Sequence, residues 1–347
     1  MTAAVEWRYI EAFAAQFRRC DLRAGEVVVI LSESQSRGSL VVISRLAAQS
    51  LGGHVIDIVL PTPASAHPVP IRSTGASQAI SYHRAAMAAL ATADLVIDCT
   101  VEGLLHAPEL GEILGGGARV LMVSNEHPDV FDRIGWDPAL PSLVESNHQR
   151  LKNAAMMHVT SVGGTDLKVR LAGALTAGST GLTTGPGSIA HWPGGLVLAF
   201  PATHSVQGTI VLCAGDVNLT IGRYMETPVT LIVEDDHIVD IRGEGLDAQL
   251  FTSYLAAFGD RGSYATSHVG WGLNAGARWE SLAMHDKRDL WGTELRAFAG
   301  NFLYSTGANE TAGRFAAGHF DLPMRGCTIF LDGDVVVDNG VLVDQSR

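Results

Sequence analysis

The sequence predicts an α/β protein, with an N-terminal doubly wound, mostly parallel sheet and a β-rich α+β C-terminal domain. Three observations carry this. Short β-branched runs alternate with helical segments through roughly the first 150 residues. Strand-like runs and tight turns dominate after that. The chain has 347 residues, more than one ordinary core supports, so two domains are expected, over residues 1–155 and 156–347.

Taken in order, Trp7, Ile10, Phe13 and Phe17 recur at helical spacing and predict a packed helix face. "EVVVILSES" suits a strand buried on both faces. "SLVVISRLAAQSLGG" reads as a helix stopped by Gly52 and Gly53, and "HVIDIVL" as the next strand. A loop follows, because Pro61, Pro63, Pro68 and Pro70 can continue neither element. A helix around "YHRAAMAALATA" and the strands "LVIDCT" and "RVLMVSN" complete the first part. A helix around "LPSLVESNHQRLKNAAMMH" joins the halves. Beyond it, "DLKVRLAG", "GLVLAFPA" and "GTIVLCAG" read as strands, and "PVTLIVEDDHIVDIRG" as a hairpin around Glu234, Asp235 and Asp236. "DAQLFTSYLAAFG" is a helix, and the tail is a hairpin on Asp332 and Gly333.

Composition excludes several function classes. The net charge is −12 and there is no basic stripe, which argues against nucleic acid. No apolar stretch approaches the ~18 residues that a membrane span needs. Glu6, Arg8 and Glu11 break up any leader-like apolar run, so a cytoplasmic protein is expected. The four cysteines are far apart, form no C-x-x-C pair and read as reduced thiols. The first strand is followed by "SESQSRGS" and not by G-x-G-x-x-G, and no Walker-type G-K-[ST] occurs, so a nucleotide cofactor is not expected. The absence of G-x-S-x-G and H-E-x-x-H removes two common hydrolase classes.

One stretch near the end, "AAGHFDLPMRG", places His319 and Asp321 two residues apart. On a strand both would project from one face, where they could share a metal ion. The pattern is cheap: roughly one such match is expected by chance in a chain this long. A second, His127-Pro128-Asp129, reads as a turn. The best third ligand is His268 in "SHVGWGLN", where Gly270 and Gly272 permit close backbone approach. Two histidines and a carboxylate with open positions opposite suit non-haem Fe(II). The ordinary alternative is a histidine hydrogen-bonded inside a β core. His106 lies just past the carboxyl end of "LVIDCT", where open α/β sheets place ligands. His191 lies in "GPGSIAHWPGG", beside Trp192, which could wall an aromatic ring. Either histidine could take a proton from a phenolic substrate, and either could be an ordinary loop residue. Arg296 and Ser305 in "ELRAFAGNFLYSTG" read either as part of an amphipathic helix or as pocket groups, one pairing an anion and the other donating to a substrate oxygen.

With "HVGWGLN" followed about fifty residues later by "GHFD", the whole chain resembles the 2,5-dihydroxypyridine 5,6-dioxygenase family, whose fold is similar to that of the M29 metal-dependent aminopeptidases. The resemblance implies that His268, His319 and Asp321 ligate one Fe(II). It implies that His106 and His191 are pocket histidines, with Leu105, Arg296 and Ser305 contacting substrate. It further implies a cytoplasmic homo-oligomer, a hexamer, that opens 2,5-dihydroxypyridine or a close hydroxypyridine with O2 in nicotinate degradation, in an extradiol-type cleavage giving N-formylmaleamate. Two alternatives stand beside this, an M29-like aminopeptidase and a metal-free small-molecule binding protein. Two departures separate the chain from the peptidases. "HWPGGLV" places Leu196 where they carry a glutamate, and His268 stands where they carry another. A dinuclear site needs bridging carboxylates to hold two ions about 3.5–4 Å apart, so these changes fit a single iron.

Overall fold

A computed structural model describes residues 5–69, 77–286 and 292–343; Pro70 lies outside them. Along the chain come α1 (Trp7–Arg19), β1 (Val27–Glu33), α2 (Gly38–Ser50), β2 (His54–Leu60), α3 (Arg84–Ala91), β3 (Leu95–Cys99), α4 (Leu110–Gly115), β4 (Arg119–Met122), α5 (Pro128–Ile134) and α6 (Leu140–Asn153). The strand-rich part follows with β5 (Met156–Ser161), β6 (Asp166–Arg170), β7 (Leu175–Ser179), β8 (Ile189–His191), β9 (Leu196–Phe200), β10 (Val206–Leu212), β11 (Val217–Asn218), β12 (Arg223–Tyr224), β13 (Val229–Glu234) and β14 (His237–Arg242). It ends with α7 (Leu246–Ala256), β15 (Thr266–Gly272), α8 (Ser281–Met284), α9 (Thr293–Ala297), β16 (Phe302–Thr306), β17 (Phe320–Met324), β18 (Cys327–Leu331), β19 (Asp334–Asp338) and β20 (Val341–Leu342).

The first sheet is parallel, in the order β2-β1-β3-β4-β8. Its central strands are apolar on both sides, as expected of a sheet covered by helices on both faces. Val28 and Ile30 face α1 and α2, while Val29 and Leu31 face α3 and the residues around α4. Gly52 sits at φ +81 behind α2, so the expected stop is a left-handed glycine. On α1, Ile10, Phe13 and Phe17 are buried, but Trp7 is 66% exposed, because it opens the helix beyond the edge of that core.

The second part is a sandwich. An eight-stranded sheet, β14-β13-β10-β6-β5-β18-β19-β20, packs its apolar face on the five-stranded sheet β17-β16-β15-β9-β7. The expected hairpins form, with Asp235, Asp236 and Asp332 at positive φ in their turns. Two features cross the expected boundary at 155. Helix α6 packs on β7 and β9 of the second part. Strand β8, from beyond the boundary, pairs in parallel with β4 as the fifth strand of the first sheet. The linking helix also ends earlier than its pattern suggested, since Met156 already begins β5.

The segment "ELRAFAGNFLYSTG" corrects one expectation. It is the short helix α9 followed by strand β16, not one amphipathic helix. Gly300 at φ +83 breaks the helix, and its Cβ would lie 1.9 Å from the Gly340 carbonyl oxygen, so the turn admits only glycine. All four cysteines are free thiols, three of them buried and Cys213 partly so. Among the described residues no helix is long and apolar enough to cross a membrane.

Candidate active site

Strand alternation builds one face of the site. In the five-stranded sheet, Val197, Ala199, Val269, Trp271, Phe302, Tyr304, Phe320 and Leu322 point into the sandwich core. The residues between them face the first part of the chain. These include Leu196, Leu198 and Phe200 on β9, Leu303 and Ser305 on β16, and Asp321 on β17. Gly270 is forced on this face, because a Cβ there would lie 1.9 Å from the Val197 carbonyl oxygen of the neighbouring strand. A β-bulge between Thr266 and Val269 breaks the register against β16 just where His268 sits. Such a bulge re-aims a side chain.

His268, His319 and Asp321 meet there, all buried. Asp321 Oδ1 lies 3.3 Å from His319 Nε2 and 3.6 Å from His268 Nε2. Asp321 Oδ2 accepts from Arg296 Nε at 2.6 Å, and Ser305 Oγ donates to Oδ1. Burial opposes ionisation of Asp321, but the positive Arg296 and the neighbouring histidines hold its carboxyl well below the usual range. Burial drives the His268 imidazole well below its ordinary value; Asp321 opposes that, while His319, His106 and Arg296 reinforce it. Ser305, expected to bind a substrate oxygen, instead spends its hydroxyl proton on Asp321.

Hydrogen-bond logic fixes the tautomer of His268. Ser267 Oγ donates its one proton to the Ala308 carbonyl, so it accepts from His268 Nδ1 at 3.0 Å. His268 Nε2 is left with a lone pair facing a carboxylate oxygen. Two acceptors pointed at each other in a buried site repel unless a cation lies between them. Donors held about 2.1 Å from one ion sit about 3–3.5 Å apart, which the observed separations approach. The residues therefore fit a single metal ion.

His106 arrives from the other side. Asp98, at the end of β3, accepts from Thr100 N, Thr100 Oγ1 and Leu104 N at 2.9, 2.6 and 2.9 Å, and so fixes the loop that carries Leu105 and His106. The His106 ring stacks on His268 with centroids 6.0 Å apart and lies 5.2 Å from His319. Ring nitrogens of His106, His268 and His319 lie within 4.8 Å of one another, a three-histidine convergence that sequence reasoning did not foresee. His106 Nδ1 lies 3.3 Å from both carboxylate oxygens of Glu310, and its Nε2 is buried without a partner.

These groups border a cavity of about 140 Å³, comparable to one that admits a single aromatic ring. Leu196, Leu198, Phe200 and Leu303 form its apolar wall, and Leu105, His191 and Arg296 also line it. Burial and the nearby Arg296 push the His191 imidazole down to about 4. Trp192 does not wall the ring. It points into the core against Phe13 and Phe131, with centroids 4.7 and 4.3 Å away. The other H-x-D segment caps α5, where His127 Nδ1 accepts from Asp129 N. Ser267, Glu310 and Phe200 escaped sequence reasoning, because their roles depend on pairing between distant segments.

Fold and site together define an enzyme with a buried histidine–carboxylate cluster, able to hold one metal ion, beside a cavity for one ring. The chain belongs to the 2,5-dihydroxypyridine 5,6-dioxygenase (NicX) family, whose profile matches residues 8–344. By family it is a ring-cleaving dioxygenase acting on a small molecule with O2. The 2,5-dihydroxypyridine 5,6-dioxygenase of Pseudomonas putida KT2440 is 35% identical over 328 residues, 92% of each chain. A solved structure of 2,5-dihydroxypyridine dioxygenase from the same strain superposes with a TM-score of 0.91 at 33% identity, covering 97% of both chains. Wild-type AmpT from Thermus thermophilus shares the fold, with a TM-score of 0.65 at 15% identity over 97% of this chain and 99% of that one.

Proposed function

We propose that the protein uses Fe(II), held by His268, His319 and Asp321, to open 2,5-dihydroxypyridine or a close hydroxypyridine between C5 and C6 with O2, giving N-formylmaleamate. The observation that carries this is the pair of acceptors, His268 Nε2 and Asp321 Oδ1, facing each other across 3.6 Å beside a one-ring cavity. Fe(II) in this donor set supplies the one-electron chemistry that O2 needs to react with a closed-shell ring.

The chain's own residues do the rest. Leu196, Leu198, Phe200 and Leu303 sandwich the ring and exclude water. His106 Nε2 faces the cavity as the base for a ring hydroxyl proton. His191, neutral above about pH 4, donates a hydrogen bond to oxyanion character that develops on the substrate. Arg296 orients Asp321 and offsets its charge, and Ser305 fixes the same carboxylate. Work in the cytoplasm as a homo-oligomer, a hexamer, belongs to the same proposal; the free cysteines fit a reducing compartment.

The test is anaerobic reconstitution with Fe(II), addition of 2,5-dihydroxypyridine, and admission of air. O2 uptake with loss of the ring absorbance and about one iron per chain is expected. Two metals per chain with amide-bond hydrolysis would overturn the reading.

A further inference from the structure

His106 borders both the one-ring cavity and a second, open cleft. Its Nε2 is buried beside the cavity, while its Nδ1 meets Glu310 at the floor of that wider cleft, lined by Pro61, Tyr82, Pro108 and Phe315. Glu310 comes from a segment about two hundred residues away and opens a one-turn 3-10 helix. That turn is anchored twice through Asn309, whose Oδ1 accepts from Ala312 N and whose Nδ2 donates to the Pro201 carbonyl. Both carboxylate oxygens sit at 3.3 Å from the same ring nitrogen. A carboxylate has no proton to give, so this contact is satisfied only when Nδ1 carries the hydrogen. In the neutral ring the lone pair is then on the buried Nε2.

We infer that Glu310 is a positioning residue for this reaction: it holds His106 in the Nδ1–H tautomer, so that the Nε2 lone pair meets the substrate hydroxyl, and it does so from outside the pocket without touching metal or substrate. The logic is that of a base oriented by a carboxylate behind it. The Glu310 side chain is 38% exposed at the edge of this cleft, while the His106 side chain behind it is 3% exposed.

The inference rests on the proposed role of His106, and its test separates the two. In the full-length protein carrying 15N-labelled histidine, recorded without metal and again with Zn(II) as a diamagnetic stand-in, His106 should show a protonated Nδ1 and an unprotonated Nε2. Glu310→Ala should populate the opposite tautomer, and Glu310→Gln, which keeps an acceptor oxygen, should restore the first. In the iron-loaded enzyme, Glu310→Ala should lower kcat about 10- to 100-fold with KM and iron content near wild type, as outer partners of site histidines commonly do. A His106 tautomer unchanged by Glu310→Ala, or unaltered kcat in that variant, overturns the inference. Failure of the wild-type enzyme to consume 2,5-dihydroxypyridine would instead overturn the substrate assignment, and the tautomer result would stand alone.

Discussion

Substitutions around His268 separate a ligand from its support. His268→Ala should remove iron and activity together, measured as metal content and O2 uptake; a metal-free binding protein would keep its ligand affinity. Ser267→Ala leaves all three proposed ligands in place but frees the His268 ring to take the wrong tautomer. It should weaken iron binding about 10- to 100-fold, seen by competition with a chelator. His191 yields a pH prediction. Its folded value, about 4, is below the ordinary 6.5, so the unfolded chain binds more protons between those limits. Stability from this group is complete above 6.5 and lost as pH falls toward 4. His191→Gln should flatten that part of the stability profile relative to wild type. At this scale the sequence was partly legible. The i, i+2 spacing of His319 and Asp321 did place both on one face. Ser267 was hidden, because adjacent residues of a regular strand point to opposite faces, and only the bulge brings its hydroxyl to His268 Nδ1.

Among the elements, β1 to β4 of the first sheet were legible because β-branched runs bounded by glycine and proline leave few choices, whereas the short β8, in a stretch that read as a loop, was not. The segment 293–306 was not. "FLYST" is buried throughout, so neither period marks it, and a helix pattern continues through it by chance. Helix α9, which carries Arg296, is held from the first part of the chain. Arg133 on α5 makes a bidentate pair with the fully buried Glu294, at 2.9 and 2.7 Å. Glu126 accepts from Gly292 N and Thr293 N at its start. Arg133→Ala strands a buried carboxylate and should cost about 3 kcal/mol, measured by denaturant unfolding, with weaker iron retention as Arg296 loosens its hold on Asp321. Gly270→Ala should destabilise by about 1–3 kcal/mol, because its Cβ would collide with the backbone of β9.

Over the whole molecule, the site is assembled from both parts of the chain. The first contributes Leu105 and His106 from one loop, and the second contributes the cluster on its sheet face. Sequence order gives no view of that meeting, which depends on how a parallel sheet docks on a sandwich. The enclosure sets substrate size. A cavity of about 140 Å³ takes one ring, so a fused two-ring hydroxylated analogue should neither react nor compete. Phe200→Ala should admit it, shown by competition kinetics.

Strand β8 carries a consequence for engineering. The polypeptide leaves the first sheet, builds part of the sandwich, and returns to lend that sheet its outermost strand, with His191 at its tip. Neither part is a portable module. A fragment ending at 155 would expose the flank of β4, and its complement would carry an orphan strand. New chemistry engineered on this scaffold is therefore to be sought by exchanging side chains within an undivided chain, and not by joining one half to a new companion.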